Sequence, residues 1–241
     1  MKKLFVCDFD GTIYNNDNPR HLITVLNEFK RLEKCGNGVI VASGRPLHLL
    51  KPFFDDFNER YFISNDGALF SKGFDIILEY PVNKTKLKIK TEKIKNDFVV
   101  YGQCISYVKS SSNSLSIKLN RFYNGHVERI DSIDEIAENI YKVVFFGNYA
   151  DDDFIEKCWN SYGISEYVAC GVNKGACLKE VRKLPDFHAE SIIAIGDGKN
   201  DISMFKNADR SYAVISADPA VKASADKTAA DVLNILRGDI L

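Results

Sequence analysis

The chain lacks an excess of either charge: 32 lysines and arginines against 33 aspartates and glutamates leave −1 at pH 7. No global field therefore draws it to nucleic acid or to an anionic membrane. It also lacks an apolar run of membrane-spanning length. The short run after Lys2 and Lys3 is broken at once by Asp8 and Asp10, too early for a secretory leader, so a cytoplasmic location is expected. None of the six cysteines (Cys7, Cys35, Cys104, Cys158, Cys170, Cys177) forms a Cys-x-x-Cys pair. His21, His48, His126 and His188 are scattered and carry no partner pattern. A zinc site and a disulfide framework are therefore not expected, and Cys7 reads as a small buried apolar residue. What is left is 241 residues, 45% of them hydrophobic, enough for a large core in one big domain or two smaller ones.

What the chain does have is Asp8-Phe9-Asp10-Gly11-Thr12, directly after Leu4-Phe5-Val6-Cys7. Such a run reads as a strand buried on both faces, as in a parallel sheet. Two acids thus sit at a strand exit, and in extended backbone i and i+2 point to one side. At about 4 Å they repel by roughly 4 kcal/mol at an effective dielectric near 20. A divalent cation is the usual compensation. The plainer reading is that both aspartates only cap a turn.

The first third alternates strand and helix. Leu22, Val25, Leu26, Phe29 and Leu32 recur at helical spacing, and Gly36 suits the C-terminal cap. Val39-Ile40-Val41-Ala42 is a second buried strand, ending at Ser43-Gly44-Arg45-Pro46. Phe62-Ile63 is a third, ending at Ser64-Asn65-Asp66-Gly67. The last seventy or so residues resume the pattern. Asn173-Lys174-Gly175 opens a helix, Ile192-Ile193-Ala194-Ile195 is a strand ending at Gly196-Asp197-Gly198-Lys199-Asn200-Asp201, and Tyr212-Ala213-Val214-Ile215 is another. Asp218-Pro219 reads as N-cap and first turn of a helix.

Residues 82–169 differ in texture. Lys84, Lys86, Lys88 and Lys90 alternate along the chain, followed by Lys93 and Lys95. They read either as a basic lid over an anionic substrate or, preferably, as a solvated face. Residues 110–116 read as a polar loop, 141–146 as a strand and 154–159 as a helix. The expected architecture is α/β: a Rossmann-like parallel-sheet core (residues 1–79 and 171–241) with an inserted α+β cap (80–170).

Four motifs then sit at C-terminal ends of strands that share one sheet edge, where ligands bind in such folds. Asp8, Asp10, Ser43, Asp197 and Asp201 meet there, with Lys174 in reach. Acids for a metal beside a hydroxyl, a lysine and helix N-termini for an anion fit phosphate held next to magnesium.

On these five motifs the chain resembles the haloacid dehalogenase-like phosphohydrolases, most closely the Cof-type branch with a large C2-type cap between the second and third motifs. Asp8 to Thr12, Ser43-Gly44-Arg45, Lys174-Gly175 and Gly196 to Asp201 match the four catalytic motifs, and Ser64 to Ala68 matches the segment before the cap. The resemblance implies a magnesium-dependent phosphatase for a small phosphorylated metabolite, a sugar phosphate or phosphorylated cofactor; no protein partner is implied, and the charge balance already speaks against nucleic acid and membrane. It implies Asp8 as nucleophile and Asp10 as acid and base. Mg²⁺ would lie on the Asp8 carboxylate, the Asp10 carbonyl and Asp197. Ser43, Lys174, Asn200 and the N–H groups of Phe9 and Gly44 would hold phosphoryl oxygens. Thr12 and Asp201 would support them. Taken singly, Ser43 and Asp201 also read as helix caps, Lys174 as a surface lysine and Arg45 as structural. Two departures from the branch, Ile215-Ser216 and Ala229-Ala230-Asp231, touch only a substrate loop. The rivals are a phosphomutase and a catalytically silent metabolite-binding regulator on the same fold.

Overall fold

A computed structural model describes residues 1–15, 18–94, 97–109, 127–147, 149–161 and 163–238. Two sheets organise these residues. The larger takes its middle from β1 (Lys3–Asp8), β2 (Gly38–Ala42) and β3 (Tyr61–Ser64) on one side, and from β12 (Ser191–Gly196), β13 (Arg210–Val214) and β14 (Lys227–Ala229) on the other. Strands β4 (Leu69–Lys72) and β5 (Asp75–Glu79) extend it as a meander. The order is β14-β13-β12-β1-β2-β3-β4-β5, parallel from β14 to β3 and antiparallel beyond. Leu4, Val6, Ile40, Val41, Ile63, Ala194 and Ile195 have no exposed surface. The uninterrupted apolar runs therefore mark strands covered on both faces.

Helices pack on this sheet as the cap signals dictate. α1 (Pro19–Lys34) starts with proline in its first turn and is left through Gly36 at φ +84°. α2 (Leu47–Leu50) is a single turn after β2. α4 (Lys174–Val181) is capped by Asn173, whose Oδ1 accepts from the Ala176 N–H at 2.9 Å. α5 (Ile202–Phe205) follows β12, and α6 (Pro219–Ser224) is capped by Asp218. α7 (Val232–Leu236) is capped by Asp231.

The second sheet has the order β10-β11-β9-β6-β7-β8. Its strands are β6 (Phe98–Tyr101), β7 (Ser106–Lys109), β8 (Val127–Arg129), β9 (Lys142–Phe146), β10 (Ile155–Ser161) and β11 (Ile164–Ala169). Its pairs are antiparallel except β7 with β8. Phe98, Phe145, Tyr167, Leu87 and Ile140 form a separate apolar cluster beneath it. Leu87 comes from α3 (Lys84–Lys93). The alternating lysines ride on that helix. Lys86, Lys88 and Lys90 pair with Asp153, Asp134 and Asp152 of the same unit and none of the three lines the main cleft, which speaks against the basic-lid reading; Lys86 is exposed, whereas Lys84 and Lys90 are partly covered.

One element corrects the sequence reading. Residues 154–159 do not form a helix: β10 runs there and pairs antiparallel with β11. Ile155, Cys158 and Trp159 suit a pleated surface, and the adjoining strand supplies hydrogen bonds that no local periodicity reveals. The expected polar loop at 110–116 lies outside the described residues. No described helix is long and apolar enough to cross a membrane.

Candidate functional site

From β1 the chain proceeds through β2 to β3 in one direction across the larger sheet, and from β12 through β13 to β14 in the other. The order reverses between β1 and β12, and at such a switch point the loops diverge and leave a crevice at the strands' carboxyl ends. Asp8 is the last residue of β1, and Asp197 directly follows β12.

Lys174, the first residue of α4, is fully buried there. Its Nζ donates to Asp8 Oδ1 at 2.5 Å and to Asp201 Oδ1 at 2.6 Å. The other oxygen of Asp201 accepts the N–H groups of Asp197 and Gly198 at 3.0 and 2.9 Å. Thr12 Oγ1 donates to Asp197 Oδ1 at 2.9 Å. Carboxylate oxygens of Asp8, Asp197 and Asp201 lie within 4.8 Å of one another. Two of these three acids thus pair with one ammonium, and the third lies beside them. Burial first, and then Asp201, push the Asp8 carboxyl well above its ordinary range, with Lys174 opposing. Burial likewise raises Asp197, against the Thr12 hydrogen bond. Burial alone would lower Lys174, but Asp201 and Asp8 more than reverse it. A buried group with surplus negative charge and hard oxygen donors suits a divalent cation such as Mg²⁺. Asp201's two oxygens are engaged, so Asp8 and Asp197 are the acids suited to hold it.

Two glycines make this approach possible. Gly11 has φ +81°, and a Cβ there would lie 2.2 Å from Asp197 Oδ2. Gly67 has φ +102°, and a Cβ would lie 2.3 Å from the Asn173 carbonyl oxygen beside Lys174. Only glycine meets both demands without strain.

The motif after β2 joins the same place. Ser43 is buried, its Oγ accepts the Arg45 N–H at 3.0 Å and its carbonyl accepts the Asp66 N–H at 3.1 Å. Asn200 Nδ2 donates to Asp66 Oδ1 at 2.8 Å. Asp10 is placed differently from the sequence argument. The chain turns at Phe9, so the i, i+2 alternation of a strand no longer applies. The Asp10 carboxylate lies outside the acid cluster, in a two-point pair with Arg45 at 2.6 and 2.8 Å. Arg45 in turn lies over the rings of Phe9, Tyr14 and Phe53. The Phe9 N–H donates to the Ala42 carbonyl at 3.1 Å, so the backbone donor expected to hold a phosphoryl oxygen is already engaged in the sheet.

A cleft of about 710 Å³ opens onto these groups. The core supplies Asp8, Asp10, Gly44, Arg45, Asp197 and Asn200 to its wall, and the second sheet supplies Tyr101, Lys142, Trp159, Asn160 and Glu166. Sequence reasoning gave no role to Asp66 or Lys142. Both carried a signal: Asp66 sits in an Asn-Asp-Gly turn with φ +54°, and Lys142 is a lysine inside an apolar strand run.

A family profile described as haloacid dehalogenase-like hydrolase matches residues 5–234. The chain belongs to this family. The 5-amino-6-(5-phospho-D-ribitylamino)uracil phosphatase YbjI of Escherichia coli (strain K12) is 24% identical over 243 residues, covering 92% of this chain and 89% of that protein. A phosphoglycolate phosphatase of Nitrosopumilus maritimus is 27% identical over 237 residues, covering 94% and 89%. Among solved structures, SMU.1108c from Streptococcus mutans UA159 superposes with a TM-score of 0.82 at 22% identity over 99% of each chain. The family to which this chain belongs is one of hydrolases, and the two relatives named here are phosphatases.

Proposed function

We propose that the protein is a magnesium-dependent phosphatase that hydrolyses a small phosphorylated metabolite through an aspartyl phosphate. One observation carries the reading. Lys174 is buried between Asp8 and Asp201 at the switch point, with Asp197 alongside, and Asp8 and Asp197 face a metabolite-sized cleft. A silent binding protein has no need of that arrangement.

In this reading an Asp8 oxygen attacks phosphorus, and the bond from phosphorus to the alcohol oxygen breaks. Asp10 donates its proton to the departing alcohol, then takes one from the water that releases orthophosphate and restores Asp8. To do so Asp10 must swing out of the Arg45 fork. Lys174, Ser43, Asn200 and the Gly44 N–H hold phosphoryl oxygens, and Asp201 keeps Lys174 aimed. Asp8, the Asp10 carbonyl and Asp197 would hold Mg²⁺, which would supply positive charge to offset the approach of a phosphate dianion to an acid cluster. The second sheet excludes water and selects the leaving group.

The test is phosphate release from a panel of phosphorylated metabolites with Mg²⁺, beginning with the relatives' two substrates, 5-amino-6-(5-phospho-D-ribitylamino)uracil and phosphoglycolate. Release of orthophosphate that is lost in Asp8→Asn supports the reading. Transfer of the phosphoryl group to a second position of the substrate, without release, identifies a mutase instead.

A further inference from the structure

We propose that Lys142, carried by β9 of the second sheet, is a positioning residue for the phosphoryl site: it ties the cap to the loops after β2 and β3 and thereby sets Asn200 and Gly44. The inference rests on the phosphatase reading above.

Lys142 crosses between the two units. Its backbone pairs with Tyr101 of β6, yet its Nζ donates to the Gly44 carbonyl at 2.8 Å and to Asp66 Oδ2 at 2.7 Å in the core. It also pairs with Glu166 of β11. An ammonium has three N–H donors, and here there are three acceptors. The side chain is 2% exposed and faces two carboxylates. With all three donors engaged, the ammonium has none left for a substrate anion, although it lies in the cleft wall.

What Lys142 grips explains its reach. Asp66 Oδ2 takes Lys142, and Asp66 Oδ1 takes Asn200 Nδ2 at 2.8 Å. One carboxylate therefore links a cap strand to the loop after β12. Asn65 and Asp66 both hold positive φ, 51° and 54°, which non-glycine residues keep only when their surroundings hold them there. The holding contacts run to the loop after β2: Asn65 N–H to the Arg45 carbonyl at 2.9 Å, Asp66 N–H to the Ser43 carbonyl at 3.1 Å. Burial would raise the Asp66 carboxyl, but Lys142 and Lys174 bring it well below the usual range, so it stays charged. Lys142 on the Gly44 carbonyl fixes the peptide that follows the Gly44 N–H. Seating the cap and assembling the phosphoryl site are thus one event.

Wild type, Lys142→Met, Asp66→Asn and the double variant would be compared on two substrates, the preferred metabolite and a small aryl phosphate. Orthophosphate affinity would be read by calorimetry with Mg²⁺, independently of turnover. We expect kcat to fall about 100-fold in Lys142→Met and about tenfold in Asp66→Asn, by the same factor on both substrates, because the phosphoryl group is what they share. Orthophosphate affinity should fall about tenfold in each. The double variant should be no worse than Lys142→Met, as for residues acting as a unit. Losses that depend on the leaving group, with orthophosphate affinity intact, would make Lys142 a substrate-reading residue and overturn the proposal. A lower Tm with kcat and orthophosphate affinity unchanged would reduce it to a structural ion pair, and additive losses would break the link through Asp66. If Lys142→Met does not fold, unchanged orthophosphate affinity in Asp66→Asn overturns the proposal by itself. A wild-type protein that neither releases nor binds phosphate sinks the parent reading; an active wild type with unaffected variants sinks only this one.

Discussion

On the core side of the cleft Lys174 and Asp201 are sealed at 0% exposure and Asp8 at 5%, while the Asp10 side chain stands open to solvent beside Arg45. On the opposite wall Trp159 stands 44% exposed. Its strand carries a bulge between Lys157 and Trp159. Neighbours on a regular strand face opposite ways, yet Cys158 and Trp159 both line the cleft, and the bulge is what brings these two to one side. The contrast teaches a division of labour. The phosphoryl group is the same in every substrate, and a fixed, water-poor set of partners stabilises it without reorganisation. The alcohol varies, and the exposed groups of this wall such as Trp159, unlike the buried Lys142 beside them, can be altered without disturbing the chemistry.

Substitutions on the two walls should therefore fail in different ways. The largest effect is expected from Asp8→Asn, because the amide is nearly isosteric but a poor nucleophile. Steady-state kinetics should show a loss of about 10⁴ or more in kcat with Tm retained, and a folded variant of near-normal activity would rule out Asp8 as nucleophile. Next comes metal removal. Excess chelator should abolish turnover on every substrate and Mg²⁺ restore it, with Ca²⁺ a poor substitute because its looser shell misplaces the nucleophile. Full activity in chelator would remove Asp197 as a ligand.

Gly67→Ala probes how rigid the core wall is. The new Cβ meets the Asn173 carbonyl at 2.3 Å in a backbone of positive φ, so α4 and Lys174 must shift. Denaturant melts should show about 1–3 kcal/mol of lost stability, accompanied by lower kcat on all substrates. Trp159→Ala probes the other wall: kcat/KM for the preferred metabolite should drop about tenfold, worth ~1.4 kcal/mol of ring contact. Turnover of a small aryl phosphate and Tm should hardly change. Equal losses on both substrates would erase the contrast between the walls. The smallest effect belongs to Lys86→Ala on α3, where an exposed ion pair with Asp153 is removed far from the cleft. Stability should stay within about 0.5 kcal/mol and kcat/KM unchanged; a selective loss on anionic metabolites would revive the basic-lid reading.

Much of the core was legible from residue order. Apolar runs ending in Asp8, Ser43, Ser64 and Gly196 mark strands buried on both faces, because nothing else in a chain of this charge requires uninterrupted Val, Ile and Leu. Their alternation with helices implies a parallel sheet, and parallel strands bring their C-terminal ends to one edge. Asn173, Asp218 and Gly36 announced helix ends through local hydrogen bonding and φ alone. The cap was poorly legible, since an antiparallel sheet with short strands is set by partners far along the chain. For that reason β10 looked helical until β11 lay beside it.

The sequence by itself determined which residue types gather at the sheet edge, because strand direction is a local consequence of apolar pattern and turn chemistry. Only the tertiary structure decided how those residues pair. Asp10 faces Arg45 rather than Asp8, Asp66 bridges Asn200 to Lys142, and a lysine within a cap strand reaches a carbonyl 98 positions away. The Asp66 and Lys142 pairings satisfy buried charges left over once the backbone has closed, and which charges are left over depends on the packing of both units at once.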